Sequence, residues 1–208
     1  MLVKDTIVTL TSLLMLISQS EGQVLKFRRC IKAPVKANFD LRKYLGTWYE
    51  VRRYFPIFFE RNLMCGTATY TQKDDNTIIV YNRSINRFTK VVNDIRGEAK
   101  IVSSAKLNVN FGTSDQNFGS TPEGNYWVLD TDYDNYAIVY SCNEFFNFVA
   151  LEIVWILGRT PTLPQSKVDE IYRSLESQGI DTMPFKARMD IQGSSDVNCT
   201  QYYINKIP

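Results

Sequence analysis

The chain has 208 residues, 44% of them hydrophobic and 22% charged, with 24 Lys and Arg against 22 Asp and Glu for a formal net charge of +2. That length can bury one good-sized core as a single domain, and so small and evenly spread a charge excludes a nucleic-acid partner. The sequence has no histidine, which removes the commonest general base, the Ser-His-Asp and Cys-His arrangements and the usual nitrogen ligand of zinc or haem.

At the N-terminus, Lys4, the apolar run Ile7 to Ile17 and the small residues Ser20 and Gly22 read as an export signal over residues 1–22, leaving 23–208 as one domain. The run is far shorter than the roughly 20 residues needed to cross a bilayer. Four cysteines remain, Cys30, Cys65, Cys142 and Cys199. An even count in an exported chain predicts two disulfides, and residue types alone leave their pairing open. The sequons Asn82-Arg83-Ser84 and Asn198-Cys199-Thr200 are compatible with surface glycosylation. The C-terminal residues carry no hydrophobic tail of the lipid-anchor type.

Eight β-like runs follow in order: Gly46 to Tyr54, Cys65 to Gln72, Thr77 to Arg83, Val91 to Ile101, Ala105 to Phe111, Asn125 to Leu129, Asn135 to Ser141 and Ala150 to Leu157. Asp74-Asp75-Asn76 and Asp132 to Asn135 supply tight-turn chemistry, and the Gly/Ser/Thr/Asn-rich stretch 112–124 reads as a longer loop. Sequential hairpins close most simply as an all-β, eight-stranded antiparallel up-and-down β-barrel, whose interior is just large enough for one small ligand.

One helix is predicted next, with Pro164 in its first turn, Val168, Ile171, Tyr172 and Leu175 on one face and Gly179 at its C-terminal cap. That face should cover the outside of the barrel. The last run agrees, because Leu151, Ile153, Trp155 and Leu157 form one apolar face while Val154 and Ile156 are apolar on the other. Trp155 is assigned to the interior, and Val154 and Ile156 to the wall beneath the helix.

Candidate ligand contacts come from the aromatic residues, 13% of the chain. Tyr136, Ile138 and Tyr140 share a face, read here as continuous with Ile153 and Trp155, and with Trp127 and Tyr70 they would line an apolar cavity bearing a few hydroxyl and indole donors. The competing reading is that they fill a core, since alternation establishes a shared face and not its direction. Glu50 and Arg52 have the parity of Trp48 and would face inward, pairing with each other or with a polar ligand group unless a bulge turns them outward. The runs Phe55 to Phe59 and Phe145 to Val149 belong at the open mouth. They can fold in as a lid, bringing Phe58 and Phe146 onto a ligand, pack on each other, or stay exposed to hold a lipid particle, membrane or partner. The pairs Asp74 with Asp75 and Asp130 with Asp132 read as solvated turn residues rather than acid/base groups. No phosphate loop is present, and no cofactor or metal is expected.

Three segments carry a family resemblance. In Asn38 to Val51, Asp40 caps a short turn that runs into Gly46-Thr47-Trp48-Tyr49. Thr131-Asp132-Tyr133 lies within Asp130 to Cys142, and Gly158-Arg159 within Val154 to Pro161. In order and spacing these resemble the motifs of the lipocalin family, within it the group of apolipoprotein D and the insect Lazarillo and bilin-binding proteins. The resemblance spans nearly all of 23–208. It implies structural roles for Gly46, Trp48, Thr131, Asp132, Tyr133 and Arg159, with Trp48 plugging the closed end beneath the Arg159 guanidinium. It also implies the pairs Cys30 with Cys142 and Cys65 with Cys199. The implied function is a secreted, extracellular, non-enzymatic carrier of a fatty acid, sterol, retinoid or bilin. The rivals are an adhesion protein acting through its Phe-rich loops, and a lipid-modifying enzyme, which would need a free thiol or a perturbed carboxylate in the cavity.

Overall fold

The computed structural model of the protein describes residues 24–54, 62–112, 121–186, 199 and 202. The export signal, the Phe55 to Phe59 run with Phe58, and Asn198 lie outside them. The elements are β1 (Val24–Lys26), α1 (Leu41–Tyr44), β2 (Gly46–Arg53), β3 (Leu63–Gln72), β4 (Thr77–Asn86), β5 (Val92–Ser103), β6 (Lys106–Asn110), β7 (Tyr126–Thr131), β8 (Tyr136–Phe145), β9 (Val149–Gly158), α2 (Gln165–Ser177) and α3 (Met183–Lys186).

From β2 to β9 each strand is antiparallel to the next, and β9 returns to β2 through the pairs Tyr49↔Gly158 to Arg53↔Trp155, closing the eight expected strands into a barrel. β1 was not anticipated. It pairs with β9 over Val24↔Glu152 to Lys26↔Ala150, the stretch beyond the point where β2 has left that strand. A short strand covering a vacated edge has too few residues to show a period of its own. The β8–β9 hairpin is longer than predicted, with pairing to Phe145↔Val149. Its tight loop holds Phe146 and Asn147 at φ 54° and 61°.

The wall has an apolar layer on each side. Outside, Ile138, Val154 and Ile156 pack against Ile171 and Leu175 of α2, with Ile180 and Phe185 beyond them. Inside and toward the base, Tyr44, Trp48, Tyr70, Val80, Val139 and Leu157 form a second cluster. β9 is thus buried on both faces, and Val154 and Ile156 lie beneath the helix as its pattern indicates. Pro164 caps α2 rather than entering its first turn, its carbonyl accepting from Val168, and Gly179 turns the chain at φ 78°. Cys30 is bonded to Cys142 and Cys65 to Cys199, with Cα separations of 5.9 and 5.4 Å. Each bridge spans more than a hundred residues, so restriction of the unfolded chain contributes at most about 5 kcal/mol apiece.

Ile156→Ala should leave a cavity between β9 and α2 and lower stability by about 2 to 4 kcal/mol in denaturant unfolding, with the barrel interior unchanged.

Candidate functional site

The closed end is built by α1 and the strands around it. Asp40 accepts from the Arg42 amide at 3.0 Å and so caps α1, which seats Tyr44 and the fully buried Trp48 across the barrel floor. The Trp48 indole donates to the Tyr44 carbonyl at 2.8 Å. The Arg159 guanidinium lies 3.7 Å above the Trp48 ring and donates to the carbonyls of Lys43, Leu45, Thr47 and Tyr133, each at 2.9 Å. Gly46 sits at φ 94°, where an added Cβ would be 3.4 Å from an Arg159 nitrogen. The β7–β8 turn holds the other side. Thr131 donates to the Tyr136 carbonyl and accepts from the Tyr133 amide, Asp132 accepts from the Asn135 and Tyr136 amides, and the Tyr133 hydroxyl accepts from the Asp40 amide. Burial pushes the Asp132 carboxyl upward, but those amides outweigh it and hold the group below the usual carboxylate range. All six residues assigned structural roles therefore meet at one end.

Above this floor the barrel encloses a cavity of about 650 Å³. Trp155, Ile153, Tyr70 and Glu50 line it, as their strand positions predict. Tyr136, Ile138, Tyr140 and Trp127 do not. In β8–β9, Val139 stands opposite Trp155 and Ser141 opposite Ile153. Directly opposed residues share a face, so Val139, Ser141 and Asn143 point inward and the even-numbered residues point outward, Ile138 and Tyr140 into the cluster with α2. Trp127, opposite Tyr140, goes outward with it and leaves Tyr126 inside.

The outward residues have other partners. The Tyr140 hydroxyl donates to the buried Glu152, which is also paired with Arg28 at 2.8 Å. Tyr136 donates to Asp130, and Lys106 stands 3.5 Å above the Trp127 ring. Phe146 is 84% exposed and touches no part of the cavity, because the hairpin carries it past the end of the wall.

A bulge settles the charges on β2. Its register with β9 shifts between Glu50 and Arg52, so Arg53 rather than Arg52 follows Glu50 onto the inner face. Arg53 lies 3.1 Å from the Glu50 carboxylate and donates to the Leu63 carbonyl at 3.0 Å, while Arg52 donates to the Val51 carbonyl off the cavity. Gly66 makes room for Glu50, since a Cβ there would come within 2.8 Å of its carboxylate.

Two further features escaped the sequence reading. The Tyr126 hydroxyl is 2.7 Å from that of Tyr44 and 2.8 Å from that of Tyr70. Burial pushes the Tyr70 phenol up to about 12 and the other two well above their ordinary value. The expected surface sequon at Asn82 is also corrected. Asn82 pairs with Ala68 on one side and Ile95 on the other, and all three line the cavity.

A closed eight-stranded barrel, plugged at one end and hollow above the plug, defines a protein that encloses a small molecule. A model of the lipocalin-like domain matches residues 39–190, and the chain belongs to the lipocalin family. It is 42% identical to apolipoprotein D of Cavia porcellus over 169 residues, covering 80% of this chain and 85% of that protein. It is 34% identical to the Lazarillo protein of Schistocerca americana over 149 residues, covering 69% and 66%. Among solved structures, insecticyanin of the tobacco hornworm Manduca sexta superposes with a TM-score of 0.68 at 23% identity, covering 83% of this chain and 90% of that one. That likeness concerns the fold.

Two outcomes follow from this geometry. Arg159→Ala should lower stability by about 1 to 3 kcal/mol in thermal melting while leaving the affinity for an apolar probe nearly unchanged. Intact-mass measurement before and after glycosidase treatment should find Asn82 unmodified, because a glycan there would have to occupy the barrel.

Proposed function

We propose that this lipocalin is a secreted extracellular carrier that encloses one small hydrophobic molecule of the fatty acid, sterol, retinoid or bilin kind. The cavity of about 650 Å³ carries this reading, with its apolar wall of Ile153, Trp155, Leu157, Val80 and Val109. Its volume falls within the range of small-molecule sites. Removing ligand surface from water supplies about 25 cal/mol per Å², offset by immobilisation, which makes micromolar affinity reasonable for a lipid-sized molecule. The identity with apolipoprotein D supports the same reading.

Chemistry favours a carrier over a lipid-modifying enzyme. The chain has no histidine, and its four cysteines are consumed in two bridges, so neither an imidazole base nor a free thiolate is available. Export is supported by the N-terminal apolar run and by the two disulfides, which persist in oxidising compartments. Among the described residues no helix is long and apolar enough to cross a membrane.

A second reading, attachment to a lipid particle or membrane, is favoured by one observation. Phe146 and Phe148, 84% and 58% exposed, are joined near the β8–β9 tip by Phe27, 79% exposed, which follows the pair Lys26↔Ala150. Such a cluster could hold the carrier at the surface where it loads.

Native mass spectrometry of the protein from its own secretions should show a co-purifying apolar ligand. Trp155→Ala should weaken retinoid or fatty-acid binding by about 1 kcal/mol or more, and Ile156→Ala should leave it unchanged. Absence of any bound species, with no fluorescence response to apolar probes, would sink the carrier reading.

A further inference from the structure

Tyr44, Tyr126 and Tyr70 stand as a chain of three phenols at the base of the cavity. Tyr70 lies opposite Gly46, directly beside the floor formed by Trp48 and Arg159. Two of the three, Tyr70 and Tyr126, line the cavity, and Tyr44 stands behind them. The chain contains two hydrogen bonds, Tyr44 to Tyr126 and Tyr126 to Tyr70. Each hydroxyl has one proton to give. Two bonds use two of the three protons, whichever way the chain runs, so one donor is always left over. Among the described residues these hydroxyls have no other acceptor. If the chain runs from Tyr44 the spare proton belongs to Tyr70, and if both ends donate inward it belongs to Tyr126. In both of these arrangements the spare proton belongs to a residue that lines the cavity. Only the reverse direction would leave it on Tyr44, where no acceptor is in reach.

A buried donor without a partner is costly, so the floor is chemically biased toward a ligand that brings an acceptor atom. Charge sets the second condition. The site is deeply buried and the phenols keep their protons, so they can donate but add no positive charge. The cations that line the cavity, Arg53 and Arg83, are paired with Glu50 and Asp94, and the Arg159 guanidinium behind the floor is committed to the Trp48 face and to backbone carbonyls. An ionised carboxylate at the floor would lose its hydration and meet only cations already committed to other partners, whereas a ketone, aldehyde or ester oxygen needs one donor and finds one.

Resting on the carrier reading, we infer that the Tyr44–Tyr126–Tyr70 chain is a donor site that selects neutral apolar ligands carrying a carbonyl oxygen and orients that oxygen toward the closed end. The polar upper wall, with Asn93 and Asn143, then faces the trailing end of the molecule. A hydrocarbon of the same shape would leave the donor unsatisfied, and a carboxylate would lie with its charge toward the mouth.

The test compares 1-acetylpyrene with 1-ethylpyrene, which differ by a carbonyl oxygen in place of two hydrogens, and with 1-pyrenecarboxylate at neutral pH. The wild-type protein should bind the acetyl compound about five- to tenfold more tightly than the ethyl compound, the ratio that one neutral hydrogen bond supplies. The carboxylate should bind more weakly than the ketone. The infrared carbonyl stretch of bound acetylpyrene should sit at the lower frequency of a hydrogen-bonded ketone. In the variant Tyr44→Phe/Tyr70→Phe/Tyr126→Phe, which keeps the rings and leaves no orphaned hydroxyl, the preference should vanish and the stretch should rise. The variant Tyr44→Phe/Tyr70→Phe retains the Tyr126 donor and should restore both. Equal affinities of the two neutral probes for the wild type, or an unbonded carbonyl stretch there, would overturn this assignment while leaving the carrier reading intact, and the wild-type measurements decide it even if the triple variant does not fold. Tighter binding of the carboxylate, unchanged in the triple variant, would overturn it as well. Failure of all three probes to bind would overturn the carrier reading and the donor site with it.

Discussion

The contact between Arg159 and Trp48 is the constraint on which the barrel depends. A closed sheet has two open ends, and a small barrel encloses a cavity only if one is sealed against water. Here a planar cation does so, lying on an indole face while its donors satisfy carbonyls that the α1 turn and the start of β2 would otherwise leave unpaired. Lysine could stack there but could not reach several carbonyls at once. The same residue ties β9 to the β7–β8 turn through Tyr133, so the ends of three strands are held by one side chain.

With the floor sealed, the character of the cavity is decided by strand register. The β8–β9 pairing turns Val139, Ser141 and Asn143 inward beside Trp155 and sends the larger Ile138 and Tyr140 outward under α2. Had the register slipped by one residue, Tyr136, Ile138 and Tyr140 would fill the interior. On β8, therefore, the hollow is kept open because its smaller residues face inward and its bulky ones are absorbed by the layer outside. The bulge on β2 acts in the same way on charge, bringing Arg53 to Glu50 instead of leaving that carboxylate alone in the wall.

The interior is thus layered along its axis. Phenols form the base, aliphatic side chains with Trp155 and the Glu50–Arg53 pair the middle, and the amides of Asn93 and Asn143 the upper wall. Such a gradient orients an amphipathic molecule as well as holding it, because each polar group left unmatched has a cost that apolar contact does not recover. The exposed phenylalanines at the hairpin tip place a further apolar surface where a ligand would enter.

Much of this was legible in the residues themselves. Eight alternating runs and one amphipathic helix implied a closed barrel with a helix on its outside. Strand β9, apolar on both faces, could only lie between an interior and a cover, which placed Trp155 and Ile156 on their proper sides. The motifs around Trp48, Thr131 and Arg159 identified the closed end, and the family likeness implied the disulfide pairs. What alternation could not say was which of two faces a neighbouring strand presents inward. That depends on register, and register depends on the length of a hairpin loop and the position of a bulge, which arise from contacts between strands. Tyr136, Ile138, Tyr140 and Trp127 were assigned to the wrong side for that reason, and Arg52 was chosen over Arg53. The Tyr44–Tyr126–Tyr70 chain was beyond reach in the same way, since its members lie on α1, β7 and β3 and meet only when the barrel closes.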